Sequence, residues 1–417
     1  MTKPSHISLA DLRGLQRLTN DAVVGLTDLV EAMHHTVGRT PGILGKAPRG
    51  RTRGITGLVY KSVRGITRLV GGSVDALLGL LAPLIADRPS TQEREAVVAA
   101  LNGVLGDHLY ASANSLAIAM CLRMSGTPLS MDRAALAAVF PQARHKVVIL
   151  LHGLCMNDLQ WMRAGHDHGA ALARDLGYTP LYLHYNSGNH ISTNGRAFAE
   201  QMEALIHAWP YPIGRLTIIG HSMGGLVARS ACHHAALAGH SWLKRLDDLV
   251  FLGTPHFGAP LARAGAWVDY VVGISPYTAP FARLGKVRSA GIKDLQHGHF
   301  LDEDWQLRPP SRVGTGRSTL PLPRGVRCYA IAASRQERAG ESGKAIRGDG
   351  LVPVNSALGR DKFPSRDLKL SKAHRWIGYG MGHLDLLSRQ EVHAQLREWL
   401  AVDRRRVGHS PRPRSKS

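Results

Sequence analysis

Residues Gly220-His221-Ser222-Met223-Gly224-Gly225 follow directly on the apolar run Leu216-Thr217-Ile218-Ile219 and lead into a helix-like stretch at 226–237. A serine at such a strand-to-helix turn is held in a strained backbone conformation with its hydroxyl presented for chemistry. Glycines flank it because a Cβ does not fit where strand and helix crowd together. Ser222 is therefore the candidate nucleophile. A glycine-rich turn carrying an ordinary serine is the plainer alternative.

The same period change, from strand to helix and back, runs through the middle of the chain. Strands are expected at 147–151, 180–185, 216–220 and 248–252, with helices at 160–175, 195–208 and 223–237 between them. This alternation predicts a mostly parallel sheet covered by helices on both faces. A further strand is expected at 325–332 and a last one at 375–379, followed by a helix at 384–400. Residues 260–322 interrupt the alternation and are too long for a simple connection. They are expected to form a cap or lid that lines the substrate site. Before it, residues 1–35, 55–86 and 92–122 read as helical, separated by a basic Gly- and Pro-rich stretch at 38–54.

A nucleophilic serine needs a base, a carboxylate to orient that base, and amide donors for the oxyanion. Where such a turn works, the acid and then the histidine follow it in the chain. Asp349 lies between two glycines after a strand and is the best acid candidate. Asp247 and Asp248 precede a strand, and Asp361 and Asp367 lie in a charged stretch. Asp with Gly also suits any tight turn. His383 follows the final strand on the loop Gly380-Met381-Gly382, where the base belongs, although the chain holds 22 histidines. Upstream, the strand Lys146 to Leu151 runs into His152-Gly153-Leu154, which suits the first oxyanion loop. The backbone N–H groups of Leu154 and Met223 are the expected oxyanion donors. The alternative there is a buried strand ending in an ordinary turn.

Taken together, His152-Gly153-Leu154, Gly220 to Gly225, Leu252-Gly253-Thr254-Pro255-His256-Phe257-Gly258, Gly348 to Pro353 and Gly382-His383 resemble the lipase and esterase branch of the α/β-hydrolase superfamily, bacterial triacylglycerol lipases and lipid deacylases included. The resemblance covers roughly residues 140–402. It implies an α/β-hydrolase fold and a carboxylic ester hydrolase with Ser222, Asp349 and His383 as triad. His152, Gly153, His221, Pro255 and His256 are the expected substrate-lining residues. The implied domains are a helical basic extension at 1–140, a catalytic domain at 141–402 with its cap at 260–322, and a basic tail at 403–417.

No cofactor is expected, and no metal: the His, Cys and carboxylate residues show no zinc-like spacing in the sequence. The expected partner is a small-molecule or lipid ester. Cys121, Cys155, Cys232 and Cys328 are scattered without paired spacing, which reads as reduced thiols in a reducing compartment. The first residues lack an apolar core, and no run of about 18 apolar residues occurs. A cytoplasmic protein, peripheral to a membrane at most, is expected.

The net charge is +21. No nucleic-acid module is recognisable and aromatics are only 6% of residues, which argues against nucleic acid as the partner. Arg53-Gly54-Ile55-Thr56-Gly57-Leu58-Val59 recurs eleven residues later as Arg64-Gly65-Ile66-Thr67-Arg68-Leu69-Val70. An eleven-residue period, about 3.67 residues per turn, aligns the apolar positions on one helix face. Such a basic amphipathic helix within 38–86 fits either an anionic lipid surface or packing on the catalytic domain. Beside ester hydrolysis, an acyltransferase with the same triad and a catalytically silent lipid-surface protein stay open, as does the oligomeric state.

Overall fold

The structure is a computed structural model that describes residues 14, 16, 92–143, 145–259, 289–306, 320–337 and 348–402. The repeat at 53–70, most of the expected cap and the tail at 403–417 lie outside these residues. The chain divides into two compact units, Met1–Arg94 with Leu109–Ala117, and Glu95–His108 with Ile118–Ser417. The second unit carries the sheet.

The described elements, in chain order, begin with helix α1 (Gln92–Ala111), strands β1 (Cys121–Met124) and β2 (Thr127–Pro128), and helix α2 (Arg133–Val139). The strand-helix alternation follows: β3 (Lys146–Leu151), α3 (His168–Leu176), β4 (Tyr178–His184), α4 (Ile191–Ala208), β5 (Arg215–His221), α5 (Met223–Ala238) and β6 (Leu246–Leu252). Two short helices come next, α6 (Ala290–His297) and α7 (Glu303–Gln306). The described elements end with β7 (Arg327–Ser334), α8 (Val354–Ala357), β8 (Arg375–Tyr379) and α9 (Gln390–Ala401).

The eight strands form one sheet in the order β2-β1-β4-β3-β5-β6-β7-β8. From β4 to β8 every pairing is parallel, and only β1 runs antiparallel to its neighbours β2 and β4. Val147 to Leu151 and Ile218 to Ile219 are fully buried. A parallel strand covered on both faces needs such a continuous apolar run, which is why these strands were legible in the sequence.

Three expectations are corrected. Residues 121–124 form strand β1, not the end of a helix: α1 stops at Ala111, Ala113 takes a positive φ of 49°, and Cys121 to Arg123 pair with β4. The helix expected at 160–175 is a 3-10 turn at Asp158–Trp161 followed by α3. Asn157 and Gln160 cap each other across the first, and the Asp167 side chain accepts from the Ala170 N–H at 2.8 Å to start the second. Side-chain oxygens that satisfy orphan amides set where a helix begins. The helix expected at 384–400 is likewise split into a 3-10 turn at His383–Leu387 and α9. There the Asp385 carboxylate accepts the Gly382 N–H at 2.7 Å.

At the edge where the parallel strands begin, Asp248 is fully buried. Its carboxylate accepts from Arg215 Nε at 2.8 Å and from Arg327 Nε at 2.8 Å. Those two arginines also donate to the carbonyls of Leu400 and Val402. One carboxylate thus ties β5, β6, β7 and the end of α9. Removing one partner of a buried charge network leaves the others uncompensated, at about 3–5 kcal/mol. Asp248→Ala is therefore expected to lower unfolding stability by about 3 kcal/mol in urea titration. A change under about 0.5 kcal/mol, the usual range for a surface substitution, would contradict this account of the network.

Candidate active site

The sheet order reverses direction at β3, because β4 is added on one side and β5 on the other. In open parallel sheets the crevice at the carboxyl ends of the strands flanking this reversal is where ligands bind. Two chain segments leave the sheet there: His152-Gly153-Leu154 after β3, and Ser222 after β5.

Ser222 has φ 54° and ψ −121°, a conformation that a residue with a side chain adopts only under constraint. Its N–H donates to the Leu252 carbonyl at 2.8 Å, and its carbonyl accepts from the Gly225 N–H at 3.1 Å. The surrounding glycines are steric necessities. A Cβ on Gly220 would lie 2.5 Å from the Gly225 nitrogen, and one on Gly224 would lie 2.5 Å from the Leu151 carbonyl oxygen and 2.6 Å from that of His152. A Cβ on Gly225 would collide with the Thr254 hydroxyl. Helix α5 therefore starts directly against the end of β3, so the Met223 and His152–Leu154 segments share one corner of the sheet.

Asp349 and His383 come into contact. His383 Nδ1 lies 2.7 Å from Asp349 Oδ2, both side chains being buried. The other carboxylate oxygen accepts from the Leu351 and Val352 N–H groups at 2.9 and 2.7 Å. Arg335 Nε holds the Asp349 carbonyl at 2.8 Å. The loop bearing His383 is pinned to β7, since Met381 N–H donates to the Ser334 carbonyl at 2.9 Å. Gly253, at φ 59°, leaves room for the imidazole: a Cβ there would lie 3.0 Å from His383 Cε1. Thus the end of β6 contacts both the Ser222 turn, through Leu252, and the His383 ring, through Gly253.

His221 connects the two loops directly. Its Nε2 donates to the His383 carbonyl at 3.2 Å, and the two rings are 4.8 Å apart. This bond was not anticipated. The residue preceding a strained serine carried no visible signal beyond being a histidine at the end of an apolar strand.

The other residues expected to line the substrate site play different parts. His152 is buried, stacks on Tyr185 at 4.2 Å, and its Nδ1 donates to the Gly153 carbonyl at 2.8 Å. Tyr185 in turn donates to the His152 carbonyl at 2.8 Å. His152 therefore shapes its own loop. Gly153, Leu154, Met223 and Pro255 are all buried. His256 accepts from Arg229 Nη1 at 3.3 Å. Both of these residues line a cavity of about 370 Å3 with Phe257, Phe300, Leu320 and Leu322. None of Ser222, Asp349 and His383 lines that cavity. Of the insertion expected at 260–322, Gly298, Phe300 and Leu320 to Leu322 contribute to its wall. Arg229 is the residue missed here: buried on α5, it is held by the Leu320 carbonyl and lies 4.8 Å above the Phe300 ring. Burial pushes its pKa down to about 10.

The four cysteines are free thiols, and Cys155, Cys232 and Cys328 are buried. Burial pushes Cys155 up to about 12, so this neighbour of the β3 loop is no thiolate. Among the described residues, no helix is long and apolar enough to cross a membrane.

Residues 142–311 match the family model described as the PGAP1-like alpha/beta domain. The sheet unit has the α/β-hydrolase fold. No curated protein matches the chain. Among solved structures, the mature form of a Bacillus licheniformis lipase is similar at 17% identity and TM-score 0.39, over 63% of this chain and 94% of that one. A Pyrococcus furiosus esterase is similar at 17% identity and TM-score 0.36, over 62% and 80%. A Legionella pneumophila phospholipase is similar at 19% identity and TM-score 0.33, over 51% and 44%.

The buried histidines of the α/β-hydrolase domain make its stability depend on pH. Burial lowers His152 from 6.5 to about 3, and lowers His221 and His256 well below 6.5. Below pH 6.5 the unfolded chain takes up protons that these folded rings refuse, so stability falls on acidification. Each ring accounts for up to about 1.4 kcal/mol per pH unit, a slope approached towards pH 5. The thermal unfolding midpoint is expected to fall steadily from about pH 6.5 to about pH 5, and His152→Phe to flatten that slope. Identical slopes in the two proteins would contradict the assignment for His152.

Proposed function

We propose that this domain is a serine hydrolase that cleaves carboxylic esters through an acyl-enzyme, with Ser222 as nucleophile, His383 as base and Asp349 as the carboxylate that orients it. The observation that carries this reading is the buried 2.7 Å contact between His383 Nδ1 and Asp349 Oδ2. The His383 loop is tied by His221 to the strained Ser222 turn.

In this mechanism Ser222 Oγ attacks the ester carbonyl while His383 Nε2 takes its proton. Asp349 stays ionised and fixes the tautomer in which Nδ1 carries hydrogen. Its second oxygen, already bonded to two backbone amides, keeps the carboxylate from turning. The oxyanion is received by the Met223 N–H, at the first turn of α5, together with the Leu154 N–H. His383 then protonates the leaving alcohol. Water, activated by the same ring, attacks the acyl-enzyme and releases the acid.

The substrate we favour is a lipid-like or otherwise apolar ester. Ser222 is only 1% exposed, and Leu154, Met223 and Leu252 around it are buried apolar groups. An acyl chain loses little by entering such surroundings, gaining about 0.8 kcal/mol per buried methylene. Hydrolysis of p-nitrophenyl esters of rising chain length is the test. Turnover is expected to rise with chain length, and Ser222→Ala to lose about 10⁶-fold in kcat. Asp349→Asn should lose about 10⁴-fold while remaining folded. A Ser222→Ala protein of undiminished activity would overturn the nucleophile. A preference for acetate over longer acyl groups would overturn the apolar substrate and leave the nucleophile standing.

A further inference from the structure

Three buried histidines lie together behind the His383 turn. His166 closes a tight turn, its N–H donating to the Arg163 carbonyl at 2.9 Å. His168 is the first residue of α3, and His393 lies in the first half of α9. One ring nitrogen of each lies within 4.8 Å of one from each of the others. His166 Nε2 donates to His168 Nδ1 at 2.9 Å, a bond that an ion shared by the two rings would replace. The His168 and His393 rings are stacked at 5.9 Å.

The outward nitrogens of two rings are already engaged. His168 Nε2 donates to the Leu386 carbonyl at 2.9 Å, and His393 Nε2 lies 2.8 Å from the Asp175 carboxylate. Gln390 Nε2 lies 3.3 Å from His166 Nδ1. His393 Nδ1, in contrast, is buried without a hydrogen-bond partner among the described residues. A buried polar atom left in this way needs a partner. Metal-bound histidines share this pattern: one nitrogen faces the ion, and the other donates to a carbonyl or carboxylate that fixes the ring.

We propose that His166, His168 and His393 bind a divalent ion of the zinc class through His166 Nε2, His168 Nδ1 and His393 Nδ1, with water completing the site. Imidazole nitrogens suit zinc and its late-transition neighbours, and three histidines with one open position are a known zinc set. Tetrahedral bonds to zinc would widen the His166–His168 separation only to about 3.3 Å. The ion would join the start of α3 to α9, residues 225 positions apart from His168 to His393 (393 − 168). It would brace Leu386, whose turn begins at His383. Its role is structural, since the ester chemistry proposed above uses none of these three rings.

The test uses the full-length chain without a purification tag, stripped with chelator and titrated with Zn²⁺ and with Co²⁺. Expected are about one tightly bound zinc per chain, a thermal midpoint that rises with free zinc, and visible Co²⁺ absorption of a low-coordinate site. Asp175→Asn should weaken zinc binding by about 10–100-fold, the usual effect of losing an outer partner. His393→Gln should weaken it at least as much. His207→Ala, an exposed histidine elsewhere, should bind as wild type does. Equal affinity in the wild-type, Asp175→Asn and His393→Gln proteins, or a midpoint indifferent to zinc, overturns the site. Should His393→Gln fail to fold, the Asp175→Asn and wild-type titrations decide alone.

Discussion

Everything at the candidate site depends on how closely α5 approaches the end of β3. The first turn of the helix touches the Leu151 and His152 carbonyls with no room for a single Cβ on Gly224. That contact forces Ser222 into a positive φ, and the Leu252 carbonyl holds it there through the Ser222 N–H. Strain of this kind costs on the order of 1–3 kcal/mol and persists only when the surroundings over-determine it. Here they do: β5 is buried along its whole length, and Gly220 and Gly225 close on each other and on Thr254. The serine is thus placed by backbone packing.

The histidine is placed by a different device. Asp349 is anchored by two amides and the His383 loop by β7, so the pair is built from neighbouring edge-side elements. Contact with the serine turn then runs through β6 and through His221. A strand between the two loops gives them a common reference, and the His221 bond to the His383 carbonyl adds a direct one. Burial of both the imidazole and the carboxylate strengthens their hydrogen bond, because little water competes for it.

Much of this was legible in the sequence for physical reasons. Parallel strands such as β3 and β5 must be apolar throughout, and glycines around Ser222 report crowding directly. Asp349 and His383 were readable from their places after strands β7 and β8. Most of what was not legible depended on partners far away in the chain. Cys121 to Arg123 become a strand only because β4 offers an edge, and Asp167 starts α3 late through a local cap that a period count overlooks. His166, His168 and His393 meet because α3 and α9 pack together, a relation that no spacing within one segment reveals. The same holds for Arg229, whose partners are a carbonyl and an aromatic ring supplied by the later insertion.

The central claim is that the strained turn presents a reactive serine to the His383–Asp349 pair. Reaction of the purified chain with a fluorophosphonate, followed by mass mapping of the labelled peptide, tests it most directly. The account predicts a single stoichiometric adduct on Ser222, formed far more slowly when His383 is replaced by alanine. An adduct on another serine, or equal labelling of the His383→Ala protein, would contradict it.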